Sequence, residues 1–244
     1  MTPLKFHTGF LRAINQFDTP ETKPTSTEIE EWLNRGLTKW FITRYTGVNS
    51  KAEGFEQSEK RVEDLRNLIS NATMTPTAST DQTKYTYTIP TGLVMVLNDE
   101  CKIEPTDLAP ASVLNCWERD EDCNYVPKLA TTLDTTLNDL NNDLLNPLSA
   151  HRFRFGSAKP LRTMQGSSLI LYTDGTYKPS SYSVTYLRGP QKIDIHDMGA
   201  VTTEYSDLPA YTHTEILQVA VDMFLAAKGL PTVNVQSQVE ATIE

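Results

Sequence analysis

The chain has 244 residues, 39% hydrophobic and 22% charged, which is enough for a real core and ordinary for a globular protein. Its 22 basic and 31 acidic residues leave a formal net charge of −9, a poor balance for gripping a phosphate backbone. No apolar run approaches the ~18 residues of a membrane span, and MTPLKFHTGFLRAINQF has no continuous apolar core or A-x-A-like site, so neither a span nor a secretory signal is expected.

The opening segment to Thr25 carries Pro3, Pro20 and Pro24 and reads as an irregular arm, with Phe6, Phe10, Leu11, Ile14 and Phe17 as short apolar clusters that could clasp a neighbouring subunit or fray. Thr27 and Glu30 have capping-box spacing. After them Ile29, Leu33, Leu37, Trp40, Phe41 and Tyr45 repeat along one helical face, and Gly47 supplies a stop. A second helix is expected from Ser58 to about Ser70, with Val62, Leu65, Leu68 and Ile69 apolar. The link between the two helices suits an antiparallel hairpin.

Past the Thr-, Pro- and Ser-rich tract from Asn71 to Thr83, the period changes to two. Tyr85, Tyr87 and Ile89 alternate with Thr86 and Thr88, Pro90 and Gly92 break, and Leu93 to Leu97 continue, predicting strand, turn and strand. The stretch from Pro105 to Asn124 is irregular. Leu129, Leu133, Leu137, Leu140 and Leu144 then space as a helical face that ends before Pro147.

Between Leu144 and Thr173 there is no Asp or Glu, while Arg152, Arg154, Lys159 and Arg162 all fall there. If Arg152–Phe155 is a strand, Phe153 and Phe155 share one face and the arginines the other. Arg and aromatic side chains are the types enriched at protein interfaces, so Arg152, Phe153, Arg154, Phe155, Lys159 and Arg162 form the candidate partner surface. Nucleic acid and a structural role inside the subunit are the rival readings. A strand Ser168–Thr173, a turn at Asp174–Gly175 and a strand Tyr182–Leu187 should follow as a hairpin, with Tyr182, Val184 and Tyr186 on one face and Ser183 and Thr185 on the other. After a short KIDI strand, Asp207–Leu208–Pro209 turns the chain. Thr212 and Glu215 make a second capping-box pair for a helix stopped by Gly229 and Pro231, and a polar, Gln/Val-rich tail runs to Glu244.

Chemistry is sparse. His7, His151, His196 and His213 form no metal-ligand pair at helical spacing, and Cys101, Cys116 and Cys123 match no zinc or redox motif. On a strand Asp194 and His196 would share a face, so a metal or acid–base pair is conceivable; a solvated strand end explains the same letters. Nucleophile elbows and phosphate loops are missing. The acidic group Glu118, Asp120, Glu121 and Asp122 lacks the EF-hand ligand pattern. No catalytic, cofactor-binding or metal residue is assigned, and no enzyme activity or cofactor is expected.

Three segments carry a family likeness. They are TEIEEWLNRGLTKWFITRYTG near the amino terminus, Pro147–Leu161 followed by LILYTDG and SYSVTYLRGP, and DLPAYTHTEILQVAVDMFLAAKG near the carboxy end. In order and spacing they resemble the neck and tail ring proteins of crAss-like tailed phages. The elements above predict an α+β fold in which residues 1–80 and 200–244 form one helical body. Residues 81–199 would be an inserted antiparallel β-rich region with one amphipathic helix near 129–145. The resemblance fits that outline and implies a non-enzymatic virion component assembled in the host cytoplasm, a dodecameric ring in the neck or upper tail that joins the portal to adjacent rings. Phage DNA would pass through its lumen without specific binding, and no membrane would be involved. A non-virion cellular adaptor and a DNA-packaging accessory protein are the alternatives.

Overall fold

The computed structural model describes residues 1–15, 23–46, 59–76, 83–107, 109–115, 117–140, 159–196 and 203–230. The fold is α+β, divided into two compact units: Met1–Leu68 with Gly189–Glu244, and Ile69–Arg188. The insertion thus begins and ends earlier than 81 and 199, because residues after Leu68 already pair as a strand.

The first unit is built on helices. Residues Pro3–Asn15 form α1 rather than an irregular arm. Phe6, Phe10 and Ile14, four apart, bury one face, and a proline in the first turn costs no intrahelical bond. Thr2 opens the helix, its carbonyl accepting the Phe6 N–H and its hydroxyl the Lys5 N–H at 3.2 Å. Helix α2 spans Ser26–Thr46; the expected stop at Gly47 lies outside the described residues. Its capping box sits two positions before Thr27–Glu30. The Thr25 N–H donates to Glu28 Oε2 at 2.7 Å, and the Glu28 N–H donates to Thr25 Oγ1 at 3.3 Å. Glu30 is thereby left to accept from the Ile195 N–H at 3.4 Å.

The expected helix to Ser70 stops short. Glu59–Leu65 is α3, Arg66–Leu68 tightens into a 3₁₀ turn, and Ile69–Met74 is already strand β1. The last helix, Thr212–Ala227, follows a short helix of the second unit in chain order and is called α5. Thr212 and Glu215 do not cap it: the Thr212 hydroxyl donates to the Pro209 carbonyl at 2.8 Å, and Glu215 turns toward α2. Helices α1, α2 and α5 pack on one another. Phe224 of α5 meets the rings of Phe10 and Trp32 edge-on, at 5.7 and 5.9 Å. Where α2 crosses α5, a Cβ on Gly36 would lie 2.6 Å from Ala220 Cβ and 2.8 Å from its backbone nitrogen. Only a residue without a side chain allows that approach. The expected KIDI strand is absent; Asn34 instead brackets Ile193, accepting its N–H at 2.9 Å and donating to its carbonyl at 3.0 Å.

The second unit holds two four-stranded sheets. One has the order β1–β8–β3–β4, with β3 Leu93–Pro105, β4 Lys128–Ala130 and β8 Tyr177–Arg188. The other has the order β2–β7–β6–β5, with β2 Lys84–Thr88, β5 Leu133–Asp134, β6 Leu161–Gln165 and β7 Ser168–Tyr172. A short helix, α4, covers Ala111–Asn115. All pairs are antiparallel except β5 with β6, which is parallel.

The expected hairpin, and the strand–turn–strand expected before it, are both crossings between sheets. Chain passes from β2 to β3 through Pro90–Gly92, and from β7 to β8 through Asp174–Gly175, where Gly175 has φ of 80°. The true hairpin joins β6 to β7 at Gly166. The alternation in β8 holds: Tyr182, Val184 and Tyr186 are buried, while Ser183 and Thr185 are not. These side chains meet Cys101, Tyr87, Leu169 and Leu171 in a core shared by both sheets, with the Tyr87 and Tyr182 rings 5.2 Å apart.

The amphipathic helix expected near 129–145 is corrected. Leu129 and Leu133 lie in strands, and helix begins only at Leu137. The spacing of leucines misled because β4 and β5 are three and two residues long, too short to show a period of two.

Candidate partner interface

Of the six residues expected at a partner surface, Arg152, Phe153, Arg154 and Phe155 lie outside the described residues. Lys159 is exposed. Arg162 has a different role. It stands on β6 rather than in a loop, opposite Leu171 of β7, and so points into the space between the sheets. Its Nη1 lies 3.0 Å from Asp99 Oδ2 on β3, and its Nε donates to Asp134 Oδ1 on β5 at 3.3 Å. Asp99 Oδ2 also accepts the Tyr182 hydroxyl at 2.6 Å and the Thr132 hydroxyl.

This network ties the two sheets together through one carboxylate. The side chains of Arg162 and Asp99 are only 12% and 14% exposed, against 73% for Asp134. Burial works against the Arg162 charge, but Asp99 and Asp134 outweigh it and hold the guanidinium pKa above its ordinary value. Burial, reinforced by donation to Asp99, pushes the Tyr182 phenol up as well. An arginine so enclosed, with two of its nitrogens turned to Asp99 and Asp134, is an internal brace.

The other sequence candidates separate in the same way. Asp194 accepts the backbone N–H of His196 at 2.8 Å, an Asx turn, while His196 Nε2 faces Glu30 Oε2 at 3.6 Å. Asp194 thus meets His196 at its backbone, while the ring is turned to Glu30. Among the described residues no group of three His, Cys, Asp or Glu is placed to hold a metal. Cys101 is buried, and burial raises its thiol to about 12, whereas Cys123 is exposed in a turn at φ of 64°. Asp120 folds its acidic loop on itself, its carboxylate accepting the N–H groups of Asp122 and Asn124 at 3.1 and 2.7 Å. His213 is buried: its Nε2 donates to the Leu208 carbonyl at 3.2 Å and its Nδ1 faces the Met1 amine.

Sequence reasoning missed a second buried charge cluster, in the helical unit. Glu215 Oε2 accepts from Arg44 Nη2 at 2.8 Å and from Trp40 Nε1 at 3.0 Å. Arg44 Nε lies 3.5 Å from Asp64 Oδ2, and Arg61 is buried as well. Burial raises the Asp64 carboxyl above its usual range, against the nearby Tyr211 hydroxyl and the charge of Arg44. The signal was present: Arg44 falls at helical spacing from Leu37, Trp40 and Phe41, on the face that buries.

No family model matches this chain, and no curated protein is significantly similar to it.

Proposed function

We propose that this chain is a structural, non-enzymatic component of a phage virion, a ring in the neck or upper tail that joins the portal to the tail around the DNA channel. The observation that supports the reading most is the interrupted architecture: a helical unit made from both ends of the chain, with a two-sheet β unit inserted between Leu68 and Gly189. Ring-forming adaptors of short-tailed phages resemble this outline, with helices docking on one ring and an inserted β region building toward the next. Charged groups in both units are spent on fixed internal ties, Arg44 and Glu215 in one and Arg162 and Asp99 in the other, as suits a rigid building block. A closed ring needs two different complementary faces on each subunit, because its contacts run head to tail. An acidic chain with one cationic segment, Arg152 to Lys159, supplies such a pair.

Sizing the purified protein alone and with the portal, followed by negative-stain imaging, tests the reading. Rings of dodecameric size, with or without the portal, are the expected result. A monomer under both conditions would overturn it. Reversing Arg152 and Arg154 to Glu should block incorporation into particles while the melting temperature of the subunit stays put.

A further inference from the structure

The four strands at the margins of the sheets are protected unequally. Edge strands are ordinarily kept from pairing with other chains by brevity, charge, proline or bulges. Strand β4 has three residues including Lys128, β5 has two including Asp134, and β2 carries Lys84. Strand β1 has none of these devices. Ile69-Ser70-Asn71-Ala72-Thr73-Met74 is uncharged, free of proline and glycine, and paired with β8 over all six residues without a register shift. Among the described residues no strand lies beyond it. Its two faces are distinct: Met74 and Ala72 belong to the core side, while Asn71 and Thr73 are exposed, and Asn71 accepts the Thr185 hydroxyl at 2.5 Å.

The same chain carries a segment with the matching pattern. After α5 stops at Gly229, with φ of 69°, the sequence from Val233 to Glu244 alternates apolar with polar, broken on the apolar side only by Ser237. Val233, Val235, Val239, Ala241 and Ile243 fall on odd positions, and Asn234, Gln236, Gln238, Glu240, Thr242 and Glu244 on even ones. It contains no basic residue and, after Pro231, no proline or glycine. Such a period is that of a strand with one face buried. Extended at ~3.3 Å per residue, these residues would reach roughly 45 Å.

From this complementarity we infer that the segment Val233–Ile243 of one copy adds as a strand to the outer edge of β1 in a second copy. Its valines continue the core face in line with Ala72 and Met74, and its Asn and Gln side chains stand beside Asn71 and Thr73. Backbone hydrogen bonds supply the affinity and the alternation fixes the register, as in other strand additions. Segment and edge are different surfaces, so the contact runs head to tail and closes into a ring or extends as a filament. The inference stands without the virion reading, since it names a contact and not a setting.

The test uses the full chain with Val235→Lys and Val239→Lys, which keeps the segment but breaks its apolar face. A synthetic peptide covering Pro231–Glu244 serves as the probe. The variant should melt like the parent yet lose the parent's self-association in light scattering. Added peptide should bind it and slow hydrogen exchange at Ile69–Met74 roughly tenfold or more, as a newly paired edge would. Thr73→Lys should weaken that binding. The inference falls if the peptide protects some other segment or none, or if the variant associates like the parent. It falls equally if protection of β1 in the parent survives dilution to monomer, which would mean that the segment pairs within its own chain. Intact rings formed by the variant would remove this contact and leave the ring reading standing. Peptide protection of β1 in a protein that never forms rings would do the reverse.

Discussion

Replacing Arg162 with Met keeps an unbranched apolar stem and deletes the guanidinium. Asp99, mostly buried, would then hold its charge with only the hydroxyls of Tyr182 and Thr132 as donors. Stripping one partner from a buried pair costs about 3–5 kcal/mol, and the two surviving hydroxyl bonds place this case at the lower end. The arm to the exposed Asp134 adds less than ~1 kcal/mol. Together the loss should be ~3 kcal/mol, or roughly 10 °C in the melting temperature of a domain this size. A double-mutant cycle sharpens the test. In an Asp99→Asn background the buried charge is already gone, so Arg162→Met should cost only ~1 kcal/mol, a coupling of ~2 kcal/mol. Urea unfolding followed by circular dichroism, with matched thermal melts, measures all four corners. Lys159→Met, on exposed chain three residues earlier, should fall within ~0.5 kcal/mol of the parent. If Arg162→Met melted within about a degree of the parent, or the coupling vanished, Arg162 would not be a brace.

Trp40→Ala or Phe224→Ala should each cost ~3–5 kcal/mol by denaturant unfolding, since both rings are buried between α2 and α5. Gly36→Ala should destabilise by about 1–3 kcal/mol despite the better helix propensity of alanine, because the new methyl meets Ala220 backbone, which cannot swing away. The His213 pKa is lowered by burial and then by the Met1 amine, against the Leu208 carbonyl and Glu204. The neutral ring is therefore the stable one: its contribution is full above the unfolded value of about 6.5 and is lost as pH falls toward the depressed folded one. Melts between about pH 7.5 and 5.5 should drop for the parent, and the drop should be shallower for His213→Gln.

Long periodic segments were legible in the sequence. The stripe from Ile29 to Phe41 and the alternation from Tyr182 to Tyr186 bury as their spacing implies, because each is long enough for one face to declare itself. Short elements were not, and β4 and β5 passed for one helix. Sheet pairing was hidden for another reason. Strands adjacent in sequence invite a hairpin, yet β2 and β3 sit in different sheets, and a turn signal such as Asp174–Gly175 is silent about which sheet the chain enters next. The first capping box was found by residue type but misplaced by two positions, and the second, Thr212 with Glu215, does not form. Thr25 and Glu28 fit the pattern as well as Thr27 and Glu30, and only the exit of Glu30 toward Ile195 separates them. At the candidate interface, charge alone grouped Lys159 with Arg162. What divides them is Asp99, sixty-three residues upstream of Arg162, and nothing in the local sequence announces that partner.

The first and last strands of the inserted unit are neighbours, with Ile69 directly opposite Leu187. Facing residues in such a ladder stand ~5 Å apart, so the folded insert presents its entry and exit side by side. Until it folds, α5 is divided from α1–α3 by about 145 residues of unfolded chain, whose closure costs roughly 4 kcal/mol of chain entropy. Once the β1–β8 ladder zips, the insert drops out of that detour and only the stretch from Gly189 to Tyr211 remains to be closed before α5 joins the other helices. By this chain-entropy argument the β unit is expected to fold before α5 joins α1–α3. During synthesis α1 to α3 emerge early and wait, with Phe10, Leu33 and Trp40 uncovered, until the last helix arrives.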